Sequence, residues 1–382
     1  MSGTPIFDLE REAPKPRASW VPKLIGFIFG VGIGLIVILA DQGQLSHWHG
    51  PGFNGLLLIP ALYAVIAVHE FGHAVAGSLA GLDFGGIAVG GFVLQKSGMN
   101  WTFVFNRRAL VGGSFKPLTS RSTSASRYGW MIAGGPLASI ALAASCGLLW
   151  TRSGNGTWEW TGSLLWVGSV IAIISLVPLS AGLNKSDGAR LWQLLRRPER
   201  ARSFMAILAI QTEEANGVRP REWDPEVFEQ ALTSDPVACE YPYCQLMAYY
   251  RRADEGLEKA ALRHLENALA RSASSGRPFR HVLFLEAASA SAVIRKQAAQ
   301  SRTWCERGCK LRKPEPLHAV QAGIAMCEGR YGEAVKHWEA ARARLVQKRL
   351  DSGLARFAKE KWAEYESDCR SASNKTIPQS FV

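Results

Sequence analysis

Charge is missing from long stretches of this chain. Leu24–Ala40 is 17 residues without a polar side chain, Trp130–Trp150 is 21 uncharged residues, and Thr161–Leu183 is another 23. A helix needs about 20 apolar residues to cross the hydrocarbon of a bilayer, so these runs read as spans, the first with help from its flanks. Cysteine is scarce and poorly placed for a scaffold. There are seven, an odd number, and only Cys146 precedes the charge-rich part that begins near residue 184. Neither Cys239–Cys244 nor Cys305–Cys309 has a second pair at zinc-finger spacing. A disulfide framework is therefore excluded, and these read as reduced thiols of a cytosolic domain. The net charge of +12 would suit a nucleic-acid partner, yet no basic stripe with interleaved aromatics stands out, so no nucleic acid is expected. No clear small-x-small cleavage site follows Leu24–Ala40, which favours a retained anchor over a cleaved signal peptide. No chain of polar groups crosses the spans, which argues against a zinc transporter.

With 382 residues the chain has room for two domains. Residues 1–22 read as a polar tail with Pro14, Pro16 and Pro22. Spans follow at about 24–40, 53–81, 130–150 and 161–183. Between the second and third, Gly85-Gly86 and Gly90-Gly91 punctuate short apolar runs, so 84–127 reads as one or two β-hairpins. Positive charge sets the orientation. Arg11, Lys15, Arg17 and Lys23 precede the first span, Lys96, Arg107, Arg108, Lys116, Arg121 and Arg127 lie in the hairpin segment, and Arg190, Arg196, Arg197, Arg200 and Arg202 follow the fourth. Asp41–Gly52 has no Lys or Arg, and Thr151–Trp160 has one. The positive-inside rule then places both termini in the cytoplasm.

Inside the second span stands Val68-His69-Glu70-Phe71-Gly72-His73-Ala74. Residues four apart share a helix face, so His69 and His73 can grip one metal ion. Glu70 lies one residue round, where its carboxylate can take a proton from water. Ionisable groups inside an apolar span are expensive and usually functional, which disfavours a pair of satisfied core histidines. Zinc suits two imidazoles and a carboxylate with a fourth position open. Asp41 falls on the wrong side of the membrane and Asp83 on the exit loop. Asp187 lies at the right depth, beside Gly188, where backbone can approach closely. The competing reading is that Ser186 and Asp187 only cap the helix that follows. His47 and His49, on the opposite side, read as solvated loop residues.

Taken together, His69-Glu-Phe-Gly-His73, Gly134-Gly135-Pro136 in the next span and Ser186-Asp187-Gly188 resemble the site-2 proteases, intramembrane zinc metalloproteases of the M50 type. The resemblance covers about 51–195. It implies one zinc per chain held by His69, His73 and Asp187, with Glu70 activating water. It also implies that the hairpin segment is a membrane-associated β region whose edge can pair with an unwound substrate. Gly135, Pro136, Ser139 and Ser175 are the implied substrate-binding positions. Ser139 and Ser175 stand where the family often has Asn, and no PDZ-like insertion is visible.

After Ala189 the chain reads as helices. Gly329, Tyr331, Ala334, Trp338 and Ala341, with Ala322 before them, resemble a tetratricopeptide repeat. Trp304 precedes Trp338 by 34 residues, the length of that repeat, and an earlier copy would run through Ala248 and 260–268. The alternative is an irregular helical bundle.

The expected fold class is thus mainly α: a polytopic membrane protein with about four transmembrane helices and a small membrane-associated β region in residues 23–195. A soluble α-helical repeat-like domain follows in 196–370, then a disordered tail, 371–382. The expected function is an intramembrane zinc metalloendopeptidase of the cell (inner) membrane, cutting membrane-embedded or membrane-proximal protein substrates as in regulated intramembrane proteolysis. The helical tail is a possible site for a peptide or protein partner. The alternative is a proteolytically inactive membrane-anchored scaffold whose tail recruits a partner.

Overall fold

The computed structural model describes residues 57–97, 100–107, 110, 112–152, 159–181, 184–236, 238–312, 317–347 and 351–376. The expected first span, Leu24–Ala40, and His47 and His49 lie outside them. The chain is mostly helical with a small antiparallel sheet. It divides into two compact units whose described residues are 57–208 and 209–376.

In the first unit, helix α1 (Leu58–Leu79) is apolar along its length and carries Pro60 only in its first turn, where the missing N–H is no loss. Strands β1 (Asp83–Val89) and β2 (Phe92–Ser97) follow, joined by Gly90-Gly91. Both glycines have positive φ, 56° and 89°, as a two-residue hairpin turn demands. Strands β3 (Asn100–Phe105) and β4 (Gly113–Leu118) complete a four-stranded sheet in the order β3-β2-β1-β4, antiparallel throughout. The expected one or two hairpins are therefore one sheet, because β4 returns to pair with β1 on its free side.

Helix α2 (Ala125–Arg152) packs on α1 through small residues. A Cβ on Gly72 would lie 2.5 Å from the Cβ of Ala138, so the two backbones approach closely. Helix α3 (Glu159–Leu176) is shorter than the expected 161–183. Pro178 disfavours the helical conformation at Val177, and the chain turns into a two-stranded ribbon, β5 (Ser180–Ala181) and β6 (Asn184–Lys185). Among the described residues two helices, α1 and α2, are long and apolar enough to cross a membrane; the apolar part of α3, Trp160–Leu176, falls short. Helix α4 (Asp187–Arg196) and the first part of helix α5 (Pro198–Ala215), up to Leu208, close the unit; the rest of α5 belongs to the second. Leu82, Tyr128, Met131, Ile132 and Met205 form a core beneath the sheet and α2, with Leu191 and Leu194 of α4 packed against it.

Besides the end of α5, the second unit consists of helices α6 (Pro225–Leu232), α7 (Tyr241–Asp254), α8 (Glu258–Ala270), α9 (Arg277–Val293), α10 (Ala298–Leu311), α11 (His318–Cys327), α12 (Tyr331–Gln347) and α13 (Gly353–Thr376). Three successive helix pairs, α7/α8, α9/α10 and α11/α12, bury alanines where they meet: Ala248, Ala261, Ala287, Ala322 and Ala334 are fully enclosed. Trp304 and Trp338 each centre a core cluster. Helix α13 continues to Thr376, so 371–376 are ordered helix rather than tail; buried Cys369 and the Arg370 pairs to Glu366 and Glu339 hold it in register. Residues 377–382 lie outside the described residues. All seven cysteines are free thiols.

One carboxylate in this unit is costly. Glu286 on α9 accepts a hydrogen bond from the Tyr250 hydroxyl at 2.8 Å and has no cation partner among the described residues. Burial pushes its carboxyl up to about 7, against the pull of that hydrogen bond. The native state therefore keeps a proton that the unfolded chain sheds near its ordinary value of 4.5, so stability falls as pH rises from there through about 7. Glu286→Gln removes that loss. Unfolding followed by circular dichroism should find the variant more stable than the parent by roughly 2–3 kcal/mol at about pH 8, with no such gain at about pH 4.

Candidate metal centre

Helix α1 places His69 and His73 one turn apart on its buried face, their rings 4.8 Å apart and edge to face. Each ring is fixed from behind. His73 Nδ1 lies 2.9 Å from the Met131 carbonyl on α2, and a carbonyl only accepts, so Nδ1 carries the hydrogen. In the neutral ring Nε2 then offers a bare lone pair. His69 Nδ1 lies 2.9 Å from Ser139 Oγ, a hydroxyl with no solvent exposure that can serve the ring as donor or acceptor.

Asp187 arrives from the far end of the unit. Ser186 caps α4 by accepting from the Ala189 N–H, and the same hydroxyl donates to the Val177 carbonyl at 2.6 Å and accepts from the Leu179 N–H. This ties the chain after α3 to the start of α4. Gly188 sits against the Leu176 backbone, where any side chain would collide. Arg190 donates to the Tyr128 hydroxyl at 3.0 Å, locking α4 onto α2. The cap is thus Ser186, and the Asp187 carboxylate is left to face the histidines. Its Oδ2 stands 3.1 Å from His69 Nε2 and 3.5 Å from His73 Nε2.

These atoms suit a cation. The three ligand atoms lie within 4.8 Å of one another. Ligands of a tetrahedral zinc, each about 2.0–2.2 Å away, stand about 3.3–3.6 Å apart, close to the two distances from Asp187 Oδ2 to the imidazoles. The bare lone pair of His73 Nε2 facing a carboxylate oxygen is repulsive until a positive charge lies between them. Gly135 leaves the space open: a Cβ there would stand 2.5 Å from His73 Cε1 and 2.8 Å from His69 Nε2. Glu70 is buried and lies within electrostatic reach of both imidazoles and of Asp187. Its side chain abuts the start of β4, where a Cβ on Gly113 would stand 2.6 Å from Oε1.

The structure therefore brings His69, Glu70, His73, Asp187, Gly135 and Ser139 together. Pro136 is buried in α2 beside them. Ser175 is not part of the group; its hydroxyl donates to the Ala172 carbonyl of its own helix at 3.0 Å. Sequence reasoning missed the Met131 carbonyl, which no side chain announces, and the Arg190–Tyr128 lock, whose partners lie 62 residues apart. It also missed the contact of Gly113 with Glu70.

The described residues form a mostly helical structure with two helices long and apolar enough to span a membrane and a His-His-Asp group, its histidines buried, that could bind a metal. Comparison with protein-family models, with curated proteins and with solved structures yields no match.

Two variants test the centre. Gly135→Ala pushes a methyl between the imidazoles and should abolish metal retention while helical content stays unchanged. Ser139→Ala frees the back of the His69 ring and should weaken metal affinity by roughly 10–100-fold. Both are read by metal analysis of purified protein equilibrated against a chelator.

Proposed function

We propose that this chain is an intramembrane zinc metalloendopeptidase resembling the site-2 proteases. One observation carries the reading: His69 Nε2, His73 Nε2 and Asp187 Oδ2 converge from two separate helices beside the buried Glu70. A purely structural metal site needs no general base, so the nearby carboxylate favours hydrolysis over the scaffold alternative. Zinc bound there supplies polarisation of a scissile carbonyl and of the attacking water. Glu70 accepts the proton of that water and passes it to the departing amine. Ser139 and Met131 hold the two imidazoles in the orientation that presents Nε2, and Gly135 keeps the space before them clear.

The substrate reading rests on the surroundings. Phe71, Val75 and Leu79 on α1 and Trp130, Leu137 and Leu148 on α2 are exposed apolar side chains, as lipid-facing helices require. Peptide hydrolysis at buried residues of such helices calls for a substrate delivered within or next to the membrane. A helical substrate segment must unwind first, because a helix shelters its carbonyls, and the outer edge of β4 beside Glu70 is a natural partner for the extended strand. In this reading α3 and Leu24–Ala40 complete four spans, both termini are cytoplasmic, the protein resides in the inner membrane, and a membrane-anchored regulator is the class of substrate. The helix pairs of the second unit form a tetratricopeptide-like domain.

The test is Glu70→Gln co-expressed with a membrane-anchored substrate. Cleavage should fall by about 10²–10⁴-fold with bound zinc unchanged. Undiminished cleavage contradicts the catalytic assignment. If neither form cleaves and only loss of the helical unit matters, the scaffold reading stands instead.

A further inference from the structure

The second unit encloses a cavity of about 590 Å³ between its helix pairs and α13. Its walls include Tyr249 and Tyr250 from α7 and Trp362 and Tyr365 from α13. Three carboxylates line it, Glu214, Glu258 and Glu286, and none has an ion-pair partner among the described residues. The two cations in the wall are already engaged. Lys361 pairs with Glu364 at 2.9 Å, and Arg344 has an interaction of its own. The lining thus carries three carboxylates against two cations, in a chain whose net charge is +12.

We propose that this cavity binds the ammonium or guanidinium group of a basic peptide side chain, with Glu286 as its counter-ion and the tyrosine and tryptophan rings as its walls. Three observations converge. Glu286 sits where burial disfavours its charge, yet among the described residues its bonded partner is the Tyr250 hydroxyl, which orients the carboxylate without neutralising it. Tyr249, Trp362 and Tyr365 line the same cavity as that carboxylate, and a cation held between a ring and the acid gains from both. The volume exceeds one side chain, leaving room for flanking backbone. An empty cavity of this kind costs stability, as the pH dependence above describes, and a bound cation recovers it. The inference is independent of the metal centre.

The chain is basic overall, so a cationic probe gains nothing from bulk attraction and must find a local acid. The experiment measures binding of Ac-Ala-Ala-Lys-Ala-Ala-NH2 to the detergent-solubilised full chain by calorimetry, beside the same peptide with acetyl-lysine and beside butylammonium alone. Acetylation removes the charge and keeps the length. The lysine peptide should bind at least about tenfold more tightly than its acetylated form, and Glu286→Gln should erase that preference. Because the same substitution is expected to stabilise the empty unit, lost binding with a raised melting temperature separates a missing counter-ion from a damaged fold. If butylammonium matches the lysine peptide, the cation site stands and a free amine becomes its ligand. Equal binding of charged and acetylated peptides, a lysine preference that survives Glu286→Gln, or no binding of either cation would overturn the proposal.

Discussion

Two imidazole nitrogens and a carboxylate oxygen held within a few ångströms of one another, out of water, cannot rest comfortably without a positive charge among them. His73 makes this plain. Its Nδ1 hydrogen is committed to the Met131 carbonyl, so in the neutral ring Nε2 meets Asp187 Oδ2 lone pair to lone pair across 3.5 Å. Burying polar groups that repel is unfavourable, and a fold keeps such an arrangement only where something else stabilises it. A positive charge placed there, a proton on Nε2 or a metal ion that the group could bind, supplies that stabilisation, and much of the first unit converges on the place.

The supporting structure works at three depths. Close packing of α1 on α2, through Gly72 and Ala138, brings the backbone carbonyl of Met131 and the hydroxyl of Ser139 behind the histidines. The turn after α3 and the cap at Ser186 set where α4 begins, and so where Asp187 stands. The sheet returns β4 to the flank of Glu70, leaving one strand edge free beside the carboxylate. None of these contacts involves the second unit, whose helix pairs keep their own cores and their own cavity.

Much of the centre was legible in the sequence because its signal is local. His69, Glu70 and His73 follow from helical periodicity inside an apolar run. Asp187 lies 118 residues from His69 and was reachable only by following charge and span order along the chain. What stayed hidden depends on tertiary packing. A backbone acceptor such as Met131 O has no residue signature, and Ser139 read as a substrate contact where it holds a ring. Pro178 was visible but read as part of a span, whereas its effect on Val177 ends the helix at Leu176. The pairing of β4 with β1 was not legible because the partners lie some 30 residues apart. Residues 371–382 read as tail, whereas 371–376 belong to α13, which the pair of Arg370 with Glu339 of α12 holds in place.

The most direct measurement is zinc-edge X-ray absorption on the purified full chain. The account predicts one zinc per chain with two imidazoles and oxygen at about 2.0–2.2 Å and no sulfur. Zinc bound through sulfur at about 2.3 Å, supplied by the free cysteines of the second unit, or no zinc retained at all, would contradict it.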